Sequence, residues 1–205
     1  MIRLERGGAE FLGAVTERML EMGVAGCYSP ALYEGSTRVW RRAGYHDYAK
    51  LVVMERSLDA KTHRRDGHPI MAEPEPDWDA VLEIDRLAFA GFWGMSRNGL
   101  IEAHATNRVT TLLVATGEDH VRGYAIVGTQ WGVTYLHRIA VRPDAAGKGV
   151  GSSLLAAAVD WGAGSGGRTM ILNVRAENHK ARELYERSGF SDTGTGLLVL
   201  RHEPR

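Results

Sequence analysis

The sequence predicts an α/β protein with a mixed, mostly antiparallel sheet, a central pair of parallel strands and flanking helices. An apolar run at 134–141 is followed by a glycine-rich loop and a helix-forming run. A second apolar run at 169–174 precedes a second helix, and such a strand–helix–strand unit should be right-handed with parallel strands. Ahead of them, apolar runs at 109–115 and 123–128 are joined by turns, as in an antiparallel meander.

The run at 134–141 is predicted to be the central strand of the sheet. If the strand alternates regularly, one face carries Tyr135, His137, Ile139 and Val141. Pro143 ends the strand, because proline cannot donate to a ladder of backbone hydrogen bonds.

The loop after this strand carries glycine at three alternate positions, 147, 149 and 151. A glycine loop that opens a helix directs backbone N–H groups and a positive helix end toward an anion. A merely structural turn is the plain alternative. A Walker loop is excluded because Lys148 is followed by Gly149. A dinucleotide fingerprint fits poorly, because residues 142–146 separate the glycines from the strand and the next strand ends in Asn173-Val174-Arg175.

Four blocks together, 136–143, 147–151, 173–178 and 181–190, resemble the acetyl-CoA-binding core of the GCN5-related N-acetyltransferases (GNAT) in both order and spacing. The resemblance is strongest to the members that acetylate a ribosomal-protein N-terminus. It implies the GNAT fold, in which the central parallel strands splay apart, and acetyl-CoA as the cofactor.

The resemblance also implies residue roles. Loop amides would hold the CoA pyrophosphate, the strand backbone would pair with the pantetheine arm, Asn178 would hydrogen-bond that arm, and Tyr185 would protonate the leaving thiolate. The cofactor-binding residues are then Ile139, Ala140, Val141, Gly147, Lys148, Gly149, Val150, Gly151, Ser152, Asn178, Ala181 and Tyr185.

Two positions depart from the family pattern. Ala146 stands where the family usually has Gln or Arg, so one side-chain contact to phosphate is missing. Asn173 stands where the relatives that acetylate protein N-termini carry a glutamate base, and Asn cannot accept the proton of the amine. His137 is the candidate substitute, since an imidazole is mostly neutral at cytosolic pH. The alternative is that His137 only packs and that water carries the proton away.

The resemblance also implies that two helices, 78–88 and 98–106, and the junction between them lie over the acceptor site. Asp77 is a plausible N-cap of the first helix, whose apolar face carries Val81, Ile84, Leu87 and Ala88. The junction between the helices is aromatic and either lines an acceptor pocket or packs in the core. The candidate substrate-binding residues are Phe89, Phe92, Trp93, Tyr135 and Asn173.

Residues 1–57 repeat the element order of the C-terminal part: helix, strand, helix, Gly-aromatic and strand. A shift of 145 residues places Gly44-Tyr45 on Gly189-Phe190 and Trp40 on Tyr185. We therefore predict a truncated, degenerate GNAT half at 1–57, a linker at 58–76 and the complete catalytic domain at 77–205; chance similarity is the alternative. The first helix, 8–23, carries its apolar face on Phe11, Val15, Met19 and Met22.

Composition narrows the function classes. Basic and acidic residues balance at 25 each, without the basic block that nucleic-acid binding favours. The single cysteine, Cys27, suits a reducing cytoplasm, and no apolar run approaches a membrane span. His63 and His68 lack neighbouring ligands, so no metal is expected. We expect an N-acetyltransferase acting on a small-molecule amine or a peptide N-terminus, as a monomer or homodimer; a non-catalytic acyl-CoA-binding protein is the alternative.

Overall fold

The computed structural model describes residues 8–59, 67–117 and 120–203. The helices are α1 (Gly8–Glu21), α2 (Arg38–Arg42), α3 (Trp78–Ala88), α4 (Arg97–Ala105), α5 (Val150–Gly164) and α6 (His179–Arg187). The strands are β1 (Cys27–Tyr28), β2 (Leu32–Tyr33), β3 (His46–Ser57), β4 (Ile70–Glu73), β5 (Val109–Thr116), β6 (Val121–Gln130), β7 (Val133–Val141), β8 (Thr169–Arg175) and β9 (Ser191–His202). No helix in these ranges is long and apolar enough to cross a membrane.

The chain forms two compact units. The larger comprises residues 54–172 and 183–191, and the smaller comprises 1–53, 173–182 and 192–205. The predicted boundaries at 57 and 77 stay predictions. The predicted linker contains β4, which pairs antiparallel with β5, while His63 lies outside the described residues.

In the larger unit, β4, β5, β6, β7 and β8 are neighbours in that order. The pairs from β4 to β7 are antiparallel and the β7–β8 pair is parallel, which confirms the mixed sheet. The parallel ladder joins residues 133–135 to 169–171, and β7 then runs on to Val141. This β7–β8 ladder is the central parallel pair that the sequence predicts.

Helices cover both faces of this sheet. On one face, α3 and α4 contribute Val81, Ile84 and Leu100 to a cluster that the sheet completes with Leu112, Val114, Tyr124, Ile126 and Ala140. On the other face lies α5, whose buried residues include Leu154, Leu155, Ala158 and Val159. Burying large apolar side chains stabilises each layer by about 1.5–3 kcal/mol per residue.

A β-bulge at His137 divides β7 into two parts. Ile126 of β6 faces Arg138 and the next residue, Val127, faces Leu136, so His137 is the extra residue. Before the bulge, Thr134 lies against Gly162 of α5. After the bulge, Ala140 packs on the α3–α4 face, although both positions are even-numbered.

The prediction that Tyr135, His137, Ile139 and Val141 share one face is therefore wrong. Tyr135 stacks on His137 on the α3–α4 face, with ring centroids 5.9 Å apart. Val141 faces α5, where a Cβ added at Gly151 would lie 3.6 Å from its Cγ2 atom. The extra residue shifts the two-residue alternation by one position.

In the smaller unit, β9 pairs antiparallel with both β1 and β2, and β3 is also its neighbour. Its core cluster contains Cys27, Tyr45 and Leu200, against which Leu12, Leu20, Leu32, Trp40 and Ala43 pack. The predicted first helix is confirmed as α1, but its predicted apolar face is exposed.

Phe11 of α1 is 64% exposed, and Met22, which directly follows the helix, is 71% exposed. The buried side instead carries Thr16, whose hydroxyl lies 2.7 Å from the Tyr45 hydroxyl. Leu12 and Leu20 of α1 also pack on this core cluster, so the helix buries the side that carries Leu12, Thr16 and Leu20.

Candidate active site

The glycine loop forms the N-terminal end of α5. Gly147 and Gly149 have φ of 76° and 86°, a left-handed conformation that costs other residues about 1–2 kcal/mol. Gly149 is the N-cap, and α5 begins at Val150 with no acidic residue in its first turn. Added Cβ atoms at Gly147 or Gly149 would meet no described atom within 4 Å. The loop therefore presents unobstructed amides at a positive helix end.

The end of β7 and the middle of α6 both approach the first turn of α5. A Cβ added at Gly151 would lie 3.6 Å from Val141 Cγ2 and 3.5 Å from Leu184 Cδ2. The structure thus brings together the glycine loop, the predicted pantetheine strand and the residue preceding Tyr185.

Tyr185 lies at the C-terminal end of α6 and is 6% exposed. Its ring meets that of Phe190 edge to face, with centroids 6.0 Å apart. Burial raises the pKa of Tyr185 to about 12, since a phenolate is poorly stabilised away from water. The hydroxyl therefore keeps its proton throughout the physiological pH range.

His137 is held by a residue from the loop before β5. A short hydrogen bond joins His137 Nε2 to Asn107 Oδ1. The Asn107 side chain lies over Gly128, where an added Cβ would come within 2.3 Å of its Oδ1 atom. A glycine at position 128 is what lets Asn107 reach across β6. Burial lowers the pKa of His137 below 6.5, so the imidazole is neutral at pH 7.

Asp85 and Arg138 form a buried ion pair that the sequence reasoning missed. Asp85 is fully buried, and its two carboxylate oxygens accept from Arg138 Nε at 2.7 Å and Nη2 at 2.9 Å. They also accept from the Tyr124 hydroxyl at 2.5 Å and the Met95 amide at 2.8 Å. Burial and the hydrogen bond to Asp85 raise the pKa of Tyr124.

The expectation for the buried face of α3 was wrong at two positions, Leu87 and Ala88, which are both exposed. Leu87 is 48% exposed, whereas Asp85 lies among Val81 and Ile84 on the buried side. A charged residue inside an apolar helix face, matched by Arg138 inside an apolar strand, is the signal that would have revealed the pair. The predicted N-cap is confirmed, because Asp77 Oδ1 accepts from two amides of the first turn.

Arg138 also organises the aromatic junction between α3 and α4. Its guanidinium carbon lies 3.6 Å from the centroid of Phe89, and its Nη2 donates to the Trp93 carbonyl at 2.6 Å. Phe92 meets Trp93 edge to face and is 37% exposed. Phe89, Phe92 and Trp93 therefore lie on the α3–α4 side of the sheet, the side that also carries Tyr135 and His137.

Three predicted site residues belong to the smaller unit: Asn173, Asn178 and Ala181. Asn178 caps α6, since its Oδ1 accepts from the Ala181 amide at 3.2 Å. Asn173 is an exposed residue of β8. Their predicted roles toward cofactor and substrate stay predictions.

The family model for the GNAT acetyltransferases matches residues 78–190 of this chain. The chain therefore belongs to the GNAT acetyltransferase family and is an acyltransferase. The matched range holds the glycine loop, the bulged strand and Tyr185, which confirms the family identified from the four sequence blocks.

Known proteins resemble the chain in sequence and in fold. A Bacillus subtilis (strain 168) protein, named as a candidate [ribosomal protein bS18]-alanine N-acetyltransferase, is 27% identical over 134 residues, covering 60% of this chain and 87% of the relative. A GCN5-related N-acetyltransferase from Sphaerobacter thermophilus superposes with a TM-score of 0.68 at 22% identity, over 96% of this chain and 68% of that one. A tandem GNAT protein from the clavulanic acid biosynthesis pathway gives 0.65 at 14% identity, over 99% and 72%.

Proposed function

We propose that this protein transfers the acetyl group of acetyl-CoA to a primary amine by direct attack in a ternary complex. The observation that carries the proposal is the left-handed glycine loop at the start of α5, close to the end of β7. A cytoplasmic location, expected from the single cysteine, belongs to the same proposal.

The residues present fit acetyl-CoA. Amides of residues 147–152 offer several donors to a pyrophosphate, and no carboxylate in the first turn of α5 opposes it. Residues 139–141 pair with β6 on one side. In our proposal the backbone on their other side pairs with the pantetheine arm, as the resemblance implies. Asn178 and Ala181 would bind the same arm.

Bound acetyl-CoA supplies an electrophilic thioester carbonyl and a thiolate leaving group. In our proposal His137 accepts the proton of the attacking amine, through the ring nitrogen that Asn107 does not engage. A β7 amide donates to the carbonyl oxygen as negative charge develops there. Tyr185, protonated at neutral pH, donates to the thiolate as the carbon–sulfur bond breaks.

We propose that the acceptor amine enters along the α3–α4 side. Phe89, Phe92, Trp93 and Tyr135 line this side. Asn173 is the remaining proposed contact. The similarity to the Bacillus subtilis protein supports a peptide N-terminus as one acceptor class, and a small-molecule amine is the other.

We further propose that residues 1–57 are a truncated GNAT half that shapes the protein without catalysing the reaction. Trp40 takes the place of Tyr185 in that half, and an indole cannot protonate a thiolate. The resemblance to a tandem GNAT protein supports the proposal.

An acceptor screen with thiol release as the readout tests the function. Amines and peptides with free N-termini are offered with acetyl-CoA, and the expected result is acetyl-CoA turnover that depends on an amine. Tight acetyl-CoA binding with no turnover across both classes would favour the non-catalytic alternative.

Gly149→Asp tests the cofactor site. The substitution adds left-handed strain and places a carboxylate where the phosphates should bind, so acetyl-CoA affinity measured by calorimetry should fall at least about tenfold. Gly194→Asp is the matched control, because Gly194 also has a positive φ, 73°, and open surroundings. Unchanged affinity in a folded Gly149→Asp protein would remove the loop from the site.

A further inference from the structure

We propose that His68 is a positioning residue for the cofactor: it holds the glycine loop with its amides turned toward the phosphates. His68 precedes β4 and lies outside the range that matches the family model. Its Nε2 atom lies 2.7 Å from the Lys148 carbonyl oxygen, at the centre of the loop. The inference rests on the proposed function, because it assigns this contact a role in binding acetyl-CoA.

The contact fixes one tautomer of His68. A carbonyl oxygen only accepts hydrogen bonds, so Nε2 carries the proton and donates it. A second bond fixes the backbone beneath the ring, because the His68 amide donates to Ser153 Oγ at 3.1 Å. The Ser153 hydroxyl donates in turn to the Gly149 carbonyl at 3.2 Å.

These bonds act on the carbonyl side of two consecutive peptide groups. In a planar trans peptide the C=O of one residue and the N–H of the next point in opposite directions. Holding the Lys148 carbonyl therefore directs the Gly149 N–H the other way. Holding the Gly149 carbonyl does the same for the Val150 N–H. Both amides belong to the proposed pyrophosphate cradle.

The glycine loop needs this support because its own residues are poorly suited to hold one conformation. Residues 146–149 include two left-handed glycines, and Gly147, Lys148 and Gly149 are all exposed. Glycines lose more backbone entropy on ordering than any other residue. Ala146 also lacks the polar side chain that the family usually has there. The bond from His68 supplies order from outside the loop.

The test compares His68→Ala with His68→Gln. The alanine removes the donor, so the dissociation constant and the KM for acetyl-CoA should rise about three- to tenfold, the usual net worth of one hydrogen bond. The kcat at saturating acetyl-CoA should not change. Glutamine keeps an N–H at similar reach and should restore most of the affinity. Ser153→Ala should act in the same direction with a smaller effect, since the Ser153 amide still donates to Gly149.

Backbone order parameters of the ligand-free protein supply a readout that needs no cofactor. In His68→Ala the values at Gly147, Lys148 and Gly149 should fall from about 0.85 toward about 0.6. His46→Ala, an exposed histidine of β3, is the matched control and should change neither quantity.

Two results would overturn the inference: unchanged affinity and loop order in His68→Ala, or a His68→Gln protein as impaired as His68→Ala. Failure of the wild-type protein to bind acetyl-CoA would overturn the proposed function instead. In that case the order parameters alone decide whether His68 orders the loop.

Discussion

Two helix ends, one in each compact unit, have the same backbone and different chemistry. At the end of α2, the Tyr45 amide donates to the Trp40 carbonyl at 3.1 Å, across Gly44 with φ of 88°. At the end of α6, the Phe190 amide donates to the Tyr185 carbonyl at 3.0 Å, across Gly189 with φ of 84°. Both are Schellman motifs.

The agreement extends to the neighbouring bonds. Gly44 donates to Arg41 at 3.1 Å and Gly189 donates to Glu186 at 3.0 Å, again displaced by 145 residues. The aromatic rings also meet edge to face at both ends, at 4.9 Å for Trp40–Tyr45. The two helix ends thus share a backbone conformation and differ in the ring, Trp40 in one and Tyr185 in the other, as the proposed repeat requires.

Removal of the N-terminal residues should have the largest effect. Deleting residues 1–57 takes away β1, β2 and β3, and with them the partners of β9. The apolar residues Leu197, Val199 and Leu200 would then lose their cover, so the fragment should aggregate. Light scattering of the purified 58–205 protein measures this. A soluble, fully active fragment would show that the N-terminal half is dispensable.

Substitution of the aromatic residue should affect catalysis at the end of α6 and not at the end of α2. Tyr185→Phe should lower kcat about 10²–10⁴-fold, the usual worth of a positioned proton donor, with acetyl-CoA affinity retained. Trp40→Phe is the counterpart and should leave kcat unchanged. Steady-state kinetics with calorimetry measure both. Wild-type turnover in Tyr185→Phe would contradict the assignment of Tyr185 as the general acid.

A pH profile tests whether the unit that carries Tyr185 also carries the base. Burial lowers the pKa of His137 below 6.5, and protonation at lower pH removes its lone pair. The kcat/KM should therefore fall as pH decreases below 6.5, and His137→Gln should abolish that limb. His104→Gln is the control, because burial lowers the pKa of His104 as well. A limb that persists in His137→Gln belongs to the amine or another group.

The smallest expected effect concerns the two glycines. Alanine at Gly44 or Gly189 should cost about 1–2 kcal/mol of unfolding free energy, because both have a left-handed backbone. Gly44→Ala should cost more: its Cβ would lie 3.0 Å from His202 Nε2, whereas that of Gly189 would lie 3.7 Å from Arg56 Nε. Denaturant titrations measure both costs, and the reverse ranking would show that the surroundings differ in solution.

Local signals predicted the fold well. The α3 helix has the predicted bounds with Asp77 as its cap, and the glycine loop opens α5 as expected. These features depend on short-range chemistry: a carboxylate that accepts helix amides, and glycines that adopt positive φ. The four blocks that resemble the GNAT core also led to the correct family.

Features that depend on distant partners were missed. The bulge at His137 is defined by the register of β7 with β6, and the amino-acid sequence of β7 alone does not specify that register. Asp85 joins a residue 53 positions away. The contact of His68 with Lys148 spans 80 positions. The buried side of α1 likewise packs on residues distant in sequence, such as Tyr45 and Leu200.

Because of the bulge, the number of residues in β7 determines on which face of the sheet its side chains lie. A substitution at residue 137 changes one side chain, but a deletion of that residue would restore regular alternation with β6. Either Arg138 would then turn away from Asp85, or residues 133–136 would exchange faces. An insertion or deletion in this strand therefore acts on every side chain to one side of it, and relatives of different strand length should be aligned around His137.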